Sequence, residues 1–235
     1  MIAGTGSRRE LVYLILGGIF VTNAILGEVL GGKLIQAGPY VMSMGVLPWP
    51  VVFLTTDLIN EYFGKSGVRK LTFLTVGLII YAFAIIFASM TIPAASISPV
   101  DDKSYVTVFG QSLWIIVGSI TAFMASQLID VFVFWLFRDK TQGKHLWLRA
   151  TGSTAVSQLV DTFVILGIAF WLPGKISTQA FFGLAFTNYT YKFVIAVALT
   201  PLIYLAHGAI DRFLGRAESE HLIQEAVVDS QITTG

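Results

Sequence analysis

Apolar residues fill this chain in long blocks rather than in the narrow stripes of a water-facing helix. Residues 34–56, 71–100, 104–129 and 176–191 each pass without one charged side chain. A helix that crosses a bilayer needs about 20 mostly apolar residues. The pattern predicts six such helices, over about 11–30, 39–63, 71–92, 105–137, 150–172 and 179–207. The expected fold class is all-α membrane protein, a six-helix transmembrane bundle forming one domain over 1–214. A polar cytoplasmic tail, partly helical, is expected over 215–235. Leu47-Pro48-Trp49-Pro50 should interrupt the second helix, because two prolines this close disfavour continuous α-structure. Pro201 should kink the sixth. Gly27 and Gly31 read as loop glycines at the end of the first helix rather than as a packing motif.

Composition narrows the class further. The chain is 55% hydrophobic and 12% charged, with mean hydropathy +0.75, whereas a soluble domain carries about a quarter charged residues. A net charge of +1 without a basic tract gives nucleic acid no footing as a partner. The lack of cysteine excludes disulfides, thiolate metal sites and cysteine nucleophiles. His145, His207 and His221 have no metal-ligand spacing. Gly4-Thr5-Gly6-Ser7 lacks the lysine and the strand of a phosphate loop. No Gly-x-Gly-Asp stands opposed to a Tyr-Asp, as an intramembrane aspartyl protease requires. The expectation is therefore no enzyme, no metal and no cofactor. The first apolar run outlasts a signal peptide's and lacks a small-x-small cleavage site, so it reads as an uncleaved helix.

The basic residues set the orientation. Arg8, Arg9, Lys65, Arg69, Lys70, Arg138, Lys140, Lys144, Arg149, Arg212 and Arg216 fall to one side of the expected helices. Only Lys33, Lys103 and Lys175 fall to the other. Positive residues stay in the cytoplasm, which predicts that both termini are inside. The expected location is a membrane, crossed several times and solvated by its lipid.

Within the apolar blocks a polar word is written twice. Ser126-Gln127-Leu128-Ile129-Asp130-Val131-Phe132-Val133 is echoed by Ser157-Gln158-Leu159-Val160-Asp161-Thr162-Phe163-Val164. Residues three or four apart share a helix face, so each copy presents an amide and a carboxylate together. Asp57 with Glu61, and Asn188 with Lys192, repeat the arrangement on two more helices, and Asn23 is the strong amide of the first. An ionisable group at mid-bilayer costs roughly 2.5–3.5 kcal/mol on insertion scales. A lone Gln or Asn can be a mere interhelical bond; carboxylates fit that reading poorly. The ensemble predicts a shared wet cavity that holds a polar substrate. Asp57 and Glu61 could instead sit near the cytoplasmic surface and organise Lys65 and Arg69. Carboxylates accept, and amides both donate and accept, which suits a heterocycle edge carrying N–H donors beside a carbonyl. Trp49, Trp114, Trp135, Phe132 and Phe163 could stack on such a ring.

These residues carry a resemblance. Thr56-Asp57-Leu58-Ile59-Asn60-Glu61-Tyr62-Phe63-Gly64-Lys65 is similar to the Asp-x-x-x-Glu-x-x-Gly-Lys of the queuosine precursor transporters, also called the vitamin uptake transporter family. Gln127-Leu128-Ile129-Asp130, then Thr141-Gln142-Gly143-Lys144-His145-Leu146-Trp147-Leu148-Arg149, then Ser153-Thr154 and Ser157 to Thr162 continue it, and Tyr191-Lys192 with Pro201 closes it. Asn23 and Lys33 fit a looser first-helix pattern. Ala150 departs from it, where a polar residue is expected.

The resemblance implies a six-helix carrier of the bacterial inner membrane for a purine-like small molecule. It would import 7-cyano-7-deazaguanine or its aminomethyl relative for synthesis of a modified tRNA base. It also implies a fold like the substrate-binding subunits of energy-coupling-factor importers, which leaves a vitamin-binding subunit with a separate ATPase as an alternative. A structural membrane protein that carries nothing is the other. The expected substrate-binding residues are Asn23, Gln127, Asp130, Gln158, Asp161, Asn188 and Lys192. Asp57 and Glu61 are expected at a gate or proton path. A homo-oligomer is compatible with all of this.

Overall fold

The structure, a computed structural model, describes residues 5–38 and 40–232. Five of its helical stretches are long and apolar enough to cross a membrane: Arg8–Leu30, Met44–Met90, Asp102–Thr141, Leu146–Trp171 and Thr178–Leu214. Their outward positions are apolar too. Leu14, Phe73, Phe132, Phe186 and Leu205 all stand exposed, a surface suited to hydrocarbon and not to water. The protein is an all-α, multi-pass membrane bundle.

Helix α1 spans Thr5–Leu30. After it the chain makes a two-stranded antiparallel hairpin, β1 (Leu34–Ala37) with β2 (Tyr40–Ser43), in which Leu34 faces Ser43 and Ile35 faces Met42. The second helix, expected from residue 39, begins instead at Trp49. Pro39 itself lies outside the described residues. Pro48 and Pro50 explain the late start, since proline fits the first turn of a helix and not its interior. Trp49 seats on Gly27, whose absent side chain leaves space for the indole; a Cβ there would come within 3.1 Å of the ring. Gly27 is therefore a packing glycine, not a loop one.

Helix α2 runs Trp49–Met90 with a break at Gly64, whose φ of 69° and ψ of −172° are not helical. Only glycine takes that backbone without strain. The chain reverses there. Trp49 meets α1 at Gly27, and Phe63 meets it at Tyr13, with ring centroids 4.8 Å apart. Beyond the break, the Tyr13 hydroxyl donates to the Gly67 carbonyl at 2.9 Å, and Leu71 packs on Gly17. Residues 49–63 thus pass along α1 in one direction and 65–90 return in the other.

The expected helix over 105–137 is divided. A short α3 (Asp102–Phe109) ends at Gly110, and α4 covers Leu113–Thr141. The Asp101 carboxylate caps α3 by accepting from the Ser104 N–H at 2.7 Å, which holds this acid below its ordinary range. Helix α5 (Leu146–Leu166) continues into a π-turn over Gly167–Trp171. Helix α6 (Thr178–Leu214) contains Pro201.

Residues after Gly215 form α7 (Arg216–Ile232), which docks on α2 and buries Leu222 and Ala226. It supplies what the broken helix lacks. A helix start leaves backbone N–H groups unpaired. Here the Lys65 N–H donates to Ser230 Oγ at 3.3 Å and the Ser66 N–H to Asp229 Oδ2 at 3.2 Å. Arg9 of α1 ties the same helix through Glu225 at 2.6 Å.

Candidate functional site

Every residue from Thr55 to Tyr62 is buried. A helix with one buried face would alternate, so this stretch of α2 is enclosed on all sides. It carries Thr56, Asp57, Asn60 and Glu61 into the middle of the bundle, against α4 and α5. The polar word of α4 meets it directly. Gln127 and Thr56 are hydrogen-bonded, with the amide nitrogen donating to Thr56 Oγ1 at 3.3 Å.

Glu61 is the most heavily bound acid of the group. Arg138 Nη1 donates to its Oε2 at 2.7 Å; Arg149 donates from Nε to Oε2 at 3.0 Å and from Nη2 to Oε1 at 2.7 Å. All three side chains are buried, and Arg149 spends Nη1 on the Gly143 carbonyl at 2.8 Å. Such a cluster gives the carboxylate three charge-assisted hydrogen bonds and fixes three helices together. The expected pairing with Lys65 and Arg69 does not form among the described contacts of Glu61. Instead Lys65 donates to the Ser230 carbonyl at 3.0 Å, and Arg69 is exposed.

One turn earlier in α2 the balance is different. Asp57 is buried and has Asp130 as an electrostatic neighbour, with Arg149 and Glu61 next to it. Asp130 accepts from the Ser157 hydroxyl at 3.0 Å. Asp57 Oδ1, Asp130 Oδ2, Gln158 Oε1 and both amide atoms of Asn60 are buried with no hydrogen-bond partner among the described residues. Buried polar groups are ordinarily paired. These unpartnered atoms lie on α2, α4 and α5. The facing side of α5 is a stripe of small hydroxyls, Ser153, Thr154 and Ser157, all buried.

Towards the end of α1 remote from Gly64 lies a second charged group. Lys192 Nζ donates to Asp161 Oδ2 at 2.5 Å. Glu28, buried on α1, accepts from the Ser119 hydroxyl and has Asp161 as an electrostatic neighbour. Its other oxygen is buried without a partner among the described residues.

The structure therefore brings Asp57, Gln127 and Asp130 together, with Asn60 and Gln158 buried on the adjoining stretches of α2 and α5, and places Asp161 and Lys192 in a separate pair. Asn23 and Asn188 join neither. Each spends its amide on its own helix, donating to the Ile19 and Leu184 carbonyls at 2.8 and 2.9 Å. Of the five aromatic candidates, Trp114 and Phe132 are exposed, and Phe163 packs on Phe181 and Phe182. Trp49 packs on Phe53 and Phe123, while Trp135 is flanked by Arg138 and Lys65.

The polar groups converge, but the expected roomy cavity between them is not open. The crevice beside Asp57, lined by Leu54, Thr151, Thr154, Ala196 and Ile203, holds about 10 Å³, the room of one water. A larger cavity of about 490 Å³ lies elsewhere, between the first turns of α1 and the Gly64 break, with Arg9, Tyr13, Phe63 and Lys70 in its walls.

Arg138, Arg149, Glu28 and Asn60 stand outside the sequence expectation. Arg138 and Arg149 sit in what reads as a cytoplasmic loop, and only the fold turns them inward onto Glu61. Glu28 reads as a helix end; its position inside an apolar stretch is the signal that marks it. Among the described residues no group of acids and histidines is arranged to hold a metal ion.

Residues 43–206 match the family described as "Putative vitamin uptake transporter". A "Probable queuosine precursor transporter" of Bacillus subtilis (strain 168) is 30% identical over 169 residues, covering 72% of this chain and 72% of that protein. A protein of the same description from Haemophilus influenzae is 30% identical over 162 residues, 67% of this chain and 64% of that protein. No solved structure matches the chain.

Proposed function

The chain belongs to the vitamin uptake transporter family, and from that premise we propose that it imports a queuosine precursor across the bacterial inner membrane. Both relatives are named for a queuosine precursor, and the substrate in this reading is a 7-deazaguanine, the class that the resemblance implies. Transport and not catalysis is the role those names support.

In this reading the bundle crosses the membrane six times with both termini in the cytoplasm. The reversal at Gly64 makes two crossings of α2, whose 42 residues give about 63 Å of helix against a hydrocarbon core of about 30 Å. The Gly64 end, which gathers Arg9, Lys65, Arg138 and Arg149, faces the cytoplasm.

The observation that carries the proposal is the set of unpartnered buried atoms on Asp57, Asn60, Asp130 and Gln158. Asp130 accepts the N1–H and 2-amino donors of the guanine-like edge, and Gln158 and Gln127 address its carbonyl. Lys192 keeps Asp161 neutralised on the outer side. Glu61, clamped by two arginines, closes the cytoplasmic side, with Asp57 one turn further in. Access for the ring requires α5 and α6 to part from α2, because the crevice between them admits one water.

The test is direct titration of purified protein with 7-cyano-7-deazaguanine, with guanine and a vitamin as competitors. Saturable binding that guanine weakens and the vitamin does not is expected. Asp130→Ala should abolish cellular uptake while membrane expression persists. Binding of the vitamin alone, or unchanged uptake in that variant, overturns the proposal.

A further inference from the structure

Glu28, Asp57, Glu61, Asp130 and Asp161 lie within the apolar blocks of the helices. The cations that the structure gives them are Lys192, Arg138 and Arg149. Lys192 is committed to Asp161. Both arginines are committed to Glu61, and Arg149 has its remaining contact on the Gly143 carbonyl. Asp57 and Asp130 are thus two adjoining buried acids that form no ion pair among the described contacts, since Arg149, the cation beside Asp57, is bound to Glu61.

Their surroundings are not those of a packing bond. Each acid has a buried oxygen without a partner, and the amides of Asn60 and Gln158 add unpartnered atoms that are not acidic. Asp130 has the Ser157 hydroxyl for support, whereas Asp57 Oδ1 has no donor among the described residues and Asp57 borders the crevice between α5 and α6. A carboxylate so placed in a low-dielectric interior is stabilised strongly by any positive charge delivered beside it. The guanine-like edge already occupies Asp130 in the function proposed above, on which this inference rests. Asp57 is left for whatever projects from the ring.

We propose that Asp57 is a specificity-determining residue, the counter-ion for a positively charged arm on the substrate, so that the carrier favours a flat heterocycle bearing an alkylammonium over the same ring with a neutral substituent. The guest then brings the charge that the bundle lacks. Hydrogen bonds to charged partners are worth more than neutral ones, so the preference amounts to about tenfold or more in dissociation constant.

The experiment compares 7-aminomethyl-7-deazaguanine with its uncharged 7-hydroxymethyl analogue and with the 7-cyano compound, titrated calorimetrically into the full-length protein in detergent at neutral pH. The aminomethyl probe should bind the native protein about tenfold tighter or better than the hydroxymethyl one. Asp57→Asn should bring that ratio towards one, and Asp57→Glu, which keeps the charge, should retain a preference. A ratio near one in the native protein overturns the assignment, and so does a ratio that persists in Asp57→Asn. If that variant does not fold, the native ratio and that of Asp57→Glu decide. Failure of all three probes to bind sinks the proposed substrate itself, an outcome distinct from equal binding of charged and neutral probes, which removes only the role of Asp57.

Discussion

Arg149 of α5 grips Glu61 of α2 with two donors at once, Nε to Oε2 at 3.0 Å and Nη2 to Oε1 at 2.7 Å. The planar guanidinium matches the carboxylate in a way that an ammonium does not. Arg149→Lys should therefore keep the charge and still lower the unfolding temperature in detergent, while Glu61→Ala leaves two buried guanidiniums unpaired and should cost about 3–5 kcal/mol. A Glu61→Ala protein that melts with the native one would show that the cluster is not formed.

Gly64 predicts a second effect. A side chain there needs a backbone that L-residues avoid, at about 1–3 kcal/mol, and its Cβ would approach both the Ala226 carbonyl and Asp229 Oδ2 at 3.0 Å. Gly64→Ala should lower stability and loosen α7, seen as faster proteolysis within residues 216–232. Equal cleavage of variant and native protein would contradict the contact.

Asn23 and Asn188 give the opposite expectation. Both amides are used within their own helices. Replacement of either by Ala should change uptake by about twofold or less, in the range of ordinary surface substitutions. A large loss at Asn188 would show that it leaves the Leu184 carbonyl to reach the substrate.

Lys192 and Asp161 should behave as a unit. Lys192→Met leaves Asp161 beside Glu28 without a cation and should reduce uptake sharply. Adding Asp161→Asn removes the uncompensated charge and should restore part of the loss, with a coupling of about 0.5–3 kcal/mol in a double-mutant cycle on stability. Strict additivity would argue against the contact.

Much of this was legible in the residue pattern, and the exceptions have physical causes. The apolar blocks mark the membrane helices because hydrocarbon leaves few alternatives to a helix. The repeated Gln-x-x-Asp marks α4 and α5, since helical spacing alone puts amide and acid on one face. Arg138 and Arg149 were not legible as site residues: they sit 77 and 88 positions from Glu61, and beside Lys140 and Lys144 they resemble ordinary cytoplasmic charge. Asn60 was hidden because enclosure of 55–62 on every side depends on α7 and on the reversal at Gly64. The hairpin over 34–43 was readable in principle, as Leu34-Ile35 and Tyr40-Val41-Met42 flank Gly38-Pro39 with strand-favouring residues.

The enclosed stretch Thr55–Tyr62 gives the bundle an axle that touches no acyl chain. Thinner or thicker bilayers tilt and strain the outer rods first, while the acids at the hub ride on backbone shielded from that stress. Affinity for the cargo should accordingly vary little with lipid chain length, and the pace of translocation, which needs the outer rods to swing, should vary a great deal.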